Sequence, residues 1–333
     1  MKRATLVLAA AALVASLAAC TATDLAEHDC LSGDRPVYVV PDDHGTPWPP
    51  TNLLLENGKA IDARNDVWDT TEPGANGYRV GIKVHERAGS RKDLCLVGGR
   101  ITSGDLDPEG TSWNTWHSAY GMIVESDGIT VVGTSFANTG DMISFQGKNW
   151  RVVGVRAEAP EGWSGAYIHD DCIENDGMEN GSVEDSKFDG CNIFMSSTSG
   201  VDGSARTVRV TDTLVRLQPY RNNFDVPRYG ENTHGGFFKF SNPVNVGSGT
   251  PPKLVVKNSV FRADQPGSFG GNAGGFLGLP PGTECDNVML IGTAAWQPRD
   301  RASWQNQCTN LTFGTIADWN ARVAAWDADH PAL

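Results

Sequence analysis

A chain of 333 residues with 39% hydrophobic and 20% charged residues holds enough apolar material for one large domain or two ordinary ones. Its 38 glycines follow no three-residue period and no heptad is sustained, so disorder, collagen and coiled coil are excluded as the main architecture. With 27 Lys and Arg against 40 Asp and Glu, a net charge of −13 and no basic run beyond the first three residues, the composition argues against nucleic acid as a partner.

Lys2 and Arg3 precede an apolar run from Ala4 to Ala19, too short and wrongly flanked for a membrane span, which predicts a signal peptide over 1–19. The run ends in Leu17-Ala18-Ala19-Cys20, which resembles the bacterial lipobox, in which the Cys thiol is lipidated and becomes the mature N-terminus. That resemblance implies lipidation at Cys20 and an exported cell-surface lipoprotein that touches the membrane through its lipid anchor only. An ordinary signal peptide with a chance Cys implies an extracellular protein instead. Of the seven Cys, six then remain: Cys30, Cys95, Cys172, Cys191, Cys285 and Cys308. An even number in an exported chain predicts disulfides, with fifteen connectivities open. The preferred pairs are Cys172–Cys191 and Cys285–Cys308, with Cys30–Cys95 by elimination.

Residues 20–90 contain Pro-, Gly- and Asp-rich stretches such as Pro41-Asp42-Asp43-His44-Gly45, expected as loops leading into a first rung near Tyr78–His85. From about residue 94 one pattern recurs: a short β-branched run, a polar or Gly step, then a second apolar strand after a variable loop. First-strand copies begin at Leu94, Ile129, Trp150, Val183, Val208, Val255 and Val288, and second-strand copies at Gly121, Asp141, Asp171, Cys191, Gly236 and Gly275. Gly133, Gly154, Asp185, Asp212, Asn258 and Gly292 share one column of bend residues. Self-similarity at this spacing, with short strands and no helical periodicity between them, predicts a parallel β-solenoid. A sandwich or propeller is the alternative, and the missing hairpin signals argue against it. Ile316, Trp319, Val323 and Trp326 have helical spacing behind a capping-box pair, Thr315 and Asp318, so a helix is expected to cover the open end. The expected organisation is a signal peptide over 1–19, a loop-rich region with a first rung over 20–90, the solenoid over 91–300 and a C-terminal cap over 301–333.

Registering the second strands on Ile143, Ile173, Ile193 and Phe238 gives a column apolar in every rung, expected to point inward. Ser144, Glu174, Phe194 and Lys239 then stack on one side of it, and Met142, Cys172, Asn192 and Phe237 on the other, expected outward, with adjacent strands ~4.8 Å apart. At the strand entries sit Asp141, Asp170 and Asp171, beside His169 and close to Glu174 and Asp176. Stacked carboxylates repel one another. They are tolerated with a bound cation, a basic partner, or raised pKa values that keep some neutral. Those conditions also suit acid–base chemistry on a sugar. The structural alternative makes Asp170, Asp171 and Asp176 turn residues and Glu174 a solvated strand residue.

Asn138-Thr139-Gly140-Asp141, Asp170-Asp171-Cys172-Ile173, Gly190-Cys191-Asn192-Ile193-Phe194-Met195 and Phe237-Phe238-Lys239 follow one another on successive rungs. In this order they resemble the Asn-Thr-Asp, Asp-Asp-Cys, Gly-His-Gly and Arg-Ile-Lys motifs of the polygalacturonase family of glycoside hydrolases, within the wider pectate-lyase-like superfamily. The resemblance implies an all-β fold, a right-handed parallel β-helix, which the C-terminal capping helix would complete. It also implies Asp141, Asp170 and Asp171 as general acid and water-activating base, and Lys239 as the contact to a substrate carboxylate. Three positions depart from the family pattern. Gly140 is an insertion in the first motif, Cys191 stands where the family has His, and Phe237 stands where it has Arg. Cys191 lies one rung from Cys172, so the two can be bridged if their Cα atoms approach within ~7 Å.

The expected function is therefore a glycoside hydrolase acting on a polysaccharide, with Asp141, Asp170, Asp171 and Glu174 catalytic, substrate contacts from His169, Lys239, His234, Arg228 and Trp163, and no cofactor. Loop aromatics Trp113, Trp116, Trp163, Tyr220 and Tyr229 suit stacking on sugar faces. A second reading is a calcium-dependent polysaccharide lyase with Lys239 as base, Arg221, Arg228 and His234 assisting, and calcium held by Asp141, Asp171 and Glu174. A third is a non-catalytic glycan-binding surface protein. Inverting hydrolysis needs carboxyls ~6.5–9.5 Å apart, whereas neighbouring rungs offer nearer ~5 Å. A monomer is expected.

Overall fold

The computed structural model describes residues 21–32, 36–39, 51–55, 60–70, 79–86, 94–102, 119–137, 139, 141–158, 171–191, 193–197, 202–217, 220–221, 233–234, 236–240, 250–264 and 277–331. The β-branched runs form short strands that pair in parallel into three sheets. Among the described residues, sheet A has ten strands, from Val37–Val39 to Cys308–Thr309; sheet B has nine, from Val67–Asp69 to Thr312–Gly314; sheet C has seven, from Thr51–Leu55 to Gly236–Phe240. Each turn visits them in order. Trp150–Val153 lies in sheet A, Arg156–Glu158 in B and Asp171–Asn175 in C, and Gly181–Glu184 then returns to A. The fold is all-β, a right-handed parallel β-helix of triangular section. A rung has three strands rather than two: the first runs from Ile129, Val183 and Val255 each hold a sheet A strand and the start of a sheet B strand joined by a bend, and those from Leu94, Trp150 and Val208 are sheet A strands followed directly by one in sheet B.

The bend is built from residues that tolerate left-handed backbone. Gly98, Gly133, Gly154, Asp185, Asp212, Asn258, Asn287 and Asn310 all have φ between 47° and 72°, a region open to Gly and accessible to Asn and Asp. The first seven of these donate their N–H along the corner to the following rung, for example Gly133 to Val153 O at 2.9 Å, Gly154 to Glu184 O at 3.1 Å and Asp185 to Thr211 O at 3.2 Å. Asn287 takes the place expected of Gly292, which instead opens a short 3-10 turn one corner later. The Val288 run accordingly belongs to sheet B, and Glu284–Asp286 is the sheet A strand of that rung.

Among the described residues three α-helices dress this prism. Helix α1 (Ala22–Leu31) lies on sheet A, with Ala26 and Cys30 against Ala60, Cys95, Val97, Val132 and Val153. Helix α2 (Pro298–Gln307) closes the C-terminal end: Trp304 is fully buried, donates its indole N–H to Leu277 O at 2.7 Å and packs on Phe237 and Phe261. Helix α3 (Ile316–Asp329) starts at the expected Thr315–Asp318 capping box. It does not cover the open end, as its spacing suggested, but lies along sheet B. Trp319 and Trp326, two turns apart on one face, pack there with Leu214, Val260 and Ile291. Sheets A and B thus each carry a helix, and sheet C carries none among the described residues. No described helix is long and apolar enough to cross a membrane.

All three preferred disulfides are present: Cys30–Cys95, Cys172–Cys191 and Cys285–Cys308, with Cα atoms 5.7, 5.6 and 4.3 Å apart. They place the chain in an oxidising compartment. Cys30–Cys95 pins α1 to sheet A and closes a separation of 65 residues. Replacing both by Ala is expected to lower stability by ~4 kcal/mol, read as a fall in the denaturant midpoint.

The N- and C-terminal helices meet at the corner between sheets A and B. Thr23 Oγ1 donates to Asp185 Oδ2 at 3.2 Å, and His330 contacts Asp185 Oδ2 through Nε2 at 3.1 Å and Trp326 O through Nδ1 at 2.9 Å. Both ring nitrogens face acceptors, which favours the imidazolium. Burial alone would lower the His330 pKa, but the Asp185 carboxylate and the Trp326 carbonyl together raise it. A raised folded pKa gives stability that is full below the ordinary His value and is lost as pH rises through the higher folded value. Asp185→Asn is expected to cost ~2 kcal/mol near pH 6 and less at alkaline pH, flattening the dependence of Tm on pH.

Candidate active site

Strict alternation would put Asp171 and Glu174, three residues apart, on opposite faces of a strand. A kink at the entry to sheet C prevents this. Met142 and Ile143 are both buried in the core, and so are Cys172 and Ile173, and Phe237 and Phe238. Two consecutive inward residues switch the parity, so Asp141 and Asp171 before the kink share the outer face with Ser144 and Glu174 after it. Met142, Cys172 and Phe237 therefore point inward, not outward as the sequence register suggested. The Cys172 thiol needs that direction to reach Cys191 in the interior.

Beyond the kink the pairing defines two columns. The inner one runs Ile82, Met122, Ile143, Ile173, Met195, Phe238, and the outer one Lys83, Ile123, Ser144, Glu174, Ser196, Lys239. Asp171, rather than Ile173, stands opposite Ile193. Ser196 therefore replaces Phe194 in the outer column, and Phe194 is a core residue touching Phe188, Phe238 and Phe261. Continuing the register toward the strand entry places Tyr120, Asp141 and Asp171 on successive rungs.

Asp141, Asp171 and Glu174 each bring a carboxylate oxygen within 4.8 Å of the others. Asp141 and Asp171 are buried, at 4% and 1% exposure, while Glu174 keeps partial access to solvent. The Asp171 backbone N–H donates to Asp141 Oδ1 at 3.0 Å, and Ser144 Oγ donates to Asp176 Oδ2 at 3.0 Å. Asp171 Oδ1 is buried without a hydrogen-bond partner among the described residues. Burial pushes the Glu174 carboxyl up to about 10, helped by the charges of Asp141, Asp171 and Asp176 and opposed in part by the Ser144 hydroxyl. Burial likewise raises Asp176, and the Ser144 hydrogen bond opposes it. Tyr120 is raised far above the usual phenol range, first by burial and then by the charges of Asp141, Glu174, Asp176 and Asp171. At neutral pH the site thus holds a protonated Glu174 and a protonated Tyr120 beside Asp141, Asp171 and Asp176.

Of the residues expected to act, Asp141, Asp171 and Glu174 are brought together, and Lys239 stands two rungs from Glu174 on the same column, ~10 Å along it. His234 and Arg221 sit on a two-stranded antiparallel ribbon, Tyr220–Arg221 with Thr233–His234. Cys20, Trp163, His169, Asp170 and Arg228 lie outside the described residues, as do Trp113, Trp116 and Tyr229. Tyr120 escaped the sequence reading. Its signal was one residue of register, since it precedes Gly121 in the Gly121-Met122-Ile123-Val124 strand copy. No protein-family model matches the chain, and no curated protein matches it significantly.

Proposed function

We propose that the chain is an exported, lipid-anchored glycoside hydrolase that cleaves a polysaccharide by carboxylate acid–base catalysis on the outer face of sheet C. The observation that carries this reading is the grouping of Asp141, Asp171 and Glu174, one carboxylate oxygen of each within 4.8 Å of the others, with burial and the neighbouring charges raising the Glu174 carboxyl. A carboxylic acid kept neutral next to carboxylates divides the work as glycosidic cleavage needs. Glu174 donates its proton to the leaving glycosidic oxygen. Asp171, whose backbone N–H donates to Asp141 Oδ1, attacks the anomeric carbon. Water then releases the sugar as Glu174 takes the proton back. The approach of one oxygen from each carboxylate to within 4.8 Å of the others is nearer the ~5–5.5 Å carboxyl separation of double displacement than the ~6.5–9.5 Å of inversion. Tyr120, also neutral, offers an O–H to the sugar. The test is incubation with a polysaccharide panel, with products read by mass and by NMR at the anomeric carbon. Products heavier by one water and retained in configuration are expected, and loss of neither with Asp171→Asn would sink the reading.

One observation favours a second reading, a calcium-dependent lyase with Lys239 as base. The three carboxylate oxygens of Asp141, Asp171 and Glu174 within 4.8 Å, with Asp171 Oδ1 unpaired, fit a hard divalent cation. Calcium there would neutralise a uronate carboxyl and acidify the neighbouring carbon. On that reading added calcium raises Tm, by about 2.7 kcal/mol of stability at a hundredfold excess over Kd, and Asp171→Asn abolishes the rise. Unsaturated products lost with a chelator would identify it. Glycan binding without turnover would reject both enzyme readings.

A further inference from the structure

Lipidated surface proteins commonly need slack between anchor and fold, and here the fold starts at once. Thr21 is the N-cap of α1: its hydroxyl accepts the Asp24 N–H at 3.1 Å, and Asp24 Oδ2 accepts the Thr21 N–H at 2.9 Å. Thr23 is bound to Asp185, and its side chain packs so closely over Gly154 that a Cβ there would collide with it. The other end of α1 is fixed by Cys30–Cys95. Cys20 is joined by one peptide bond to Thr21, the capping residue of this docked helix.

The docking point has a definite place on the prism. Gly154 and Asp185 form the corner between sheets A and B, on the fifth and sixth strands of the ten in sheet A. A pocket of about 320 Å³ at this corner is lined by Thr21, Thr23, Gly133, Gly154, Trp326 and His330. In a three-sided solenoid the corner between A and B is opposite face C. The turn that carries Gly154 is also the turn whose sheet C strand is Asp171–Asn175. Thr23 and the acidic cluster thus stand at opposite sides of one rung.

We infer that the edge between sheets A and B, with α1 and the end of α3, is the surface that faces a lipid bilayer, and that the solenoid lies along the membrane with its sheet C groove turned away. This rests on lipidation of Cys20, part of the proposed function. Anchoring near mid-length holds the long axis along the surface, whereas an anchor at one end would let it stand upright. Asp24 and Asp29 on the exposed side of α1 offer nothing to anionic headgroups, and Leu25 is 57% exposed beside them. Arg64, Arg100 and Arg156 at this corner are outnumbered by Asp24, Glu27, Glu158 and Asp329, so contact depends on the acyl chains and a neutral lipid surface rather than on a net basic patch. The consequence for activity is that a polysaccharide reaches the carboxylates from the side away from the bilayer.

The experiment uses the full chain produced with its lipid and placed in phosphatidylcholine vesicles that carry a headgroup quencher. A fluorescent amino acid replaces either Asp329, exposed at the corner between A and B, or Gln146, exposed at the end of a sheet C strand. Several-fold stronger quenching at 329 than at 146 is expected. Equal or reversed quenching, on a chain whose mass shows the lipid, overturns the orientation alone. A mass without lipid, or vesicle binding unchanged in Cys20→Ser, overturns the anchor beneath it. Hydrolysis of a soluble polysaccharide is measured on the same samples, so failure of the catalytic reading is seen separately.

Discussion

Glu174→Gln is expected to lose ~10²–10⁴ of the turnover while making the protein more stable. The first half follows from its place as the protonated carboxyl among Asp141, Asp171 and Asp176. The second half follows from linkage. A carboxyl raised to about 10 in the fold binds its proton more tightly than in the unfolded chain. Between about pH 4.5 and about pH 10 the folded state therefore holds more protons, and stability falls as pH rises through that window. Gln has no proton to lose, so the variant escapes the fall, by an amount on the order of 3 kcal/mol at neutral pH. Thermal melts at several pH values read the gain, and product formation reads the loss. The wild-type rate should hold into the alkaline range and drop as Glu174 ionises. Asp141→Asn removes one of the charges that raise Glu174, so the alkaline limb should move to lower pH in whatever activity it retains. A Glu174→Gln chain that melts lower yet keeps full turnover would make this residue a structural one.

The sequence made the repeat legible because burial repeats: every rung must place apolar side chains at the same depth, so Ile143 and Ile173 announce themselves. The left-handed corner was legible for the same reason, as only Gly, Asn or Asp sits there easily. What escaped was local parity. Nothing in the string Asp171-Cys172-Ile173-Glu174 says that two consecutive residues turn inward, and that kink is what gathers Asp171 and Glu174 on one face. The two-residue slip at Ile193 has a similar cause, since Ile193 and Met195 are both apolar and either satisfies the pattern. The position of α3 was hidden because a stripe of Trp319, Val323 and Trp326 states that a face is buried without stating against what. Tyr120 was hidden because an aromatic at a strand entry reads as ordinary β-sheet composition until a carboxylate is found beside it.

The same kink decides the second large expected effect, Phe237→Arg. In the polygalacturonase motif an Arg stands two residues before the Lys, where both can meet substrate, which makes this substitution look like a repair. Here Phe237 is fully buried, with ring centroids 5.1 Å from Phe261, 5.6 Å from Trp296 and 6.1 Å from Trp304. Arg at this position loses that aromatic packing, a loss of ~3–5 kcal/mol when Phe is cut back, and places a guanidinium among indoles and phenyl rings, which costs several kcal/mol more. The total is comparable to the whole stability of a typical domain, ~5–15 kcal/mol, so the variant is expected to be unfolded at ambient temperature. Phe237→Leu keeps an apolar side chain and should stay folded, ~1–2 kcal/mol less stable. Circular dichroism and a melt separate the two. A folded Phe237→Arg protein with a new preference for acidic sugars would mean that residue 237 faces the groove. If it unfolds as expected, attraction of a substrate carboxylate on this end of the outer column falls to Lys239, and Lys239→Met should weaken an acidic substrate while leaving a neutral one nearly unchanged.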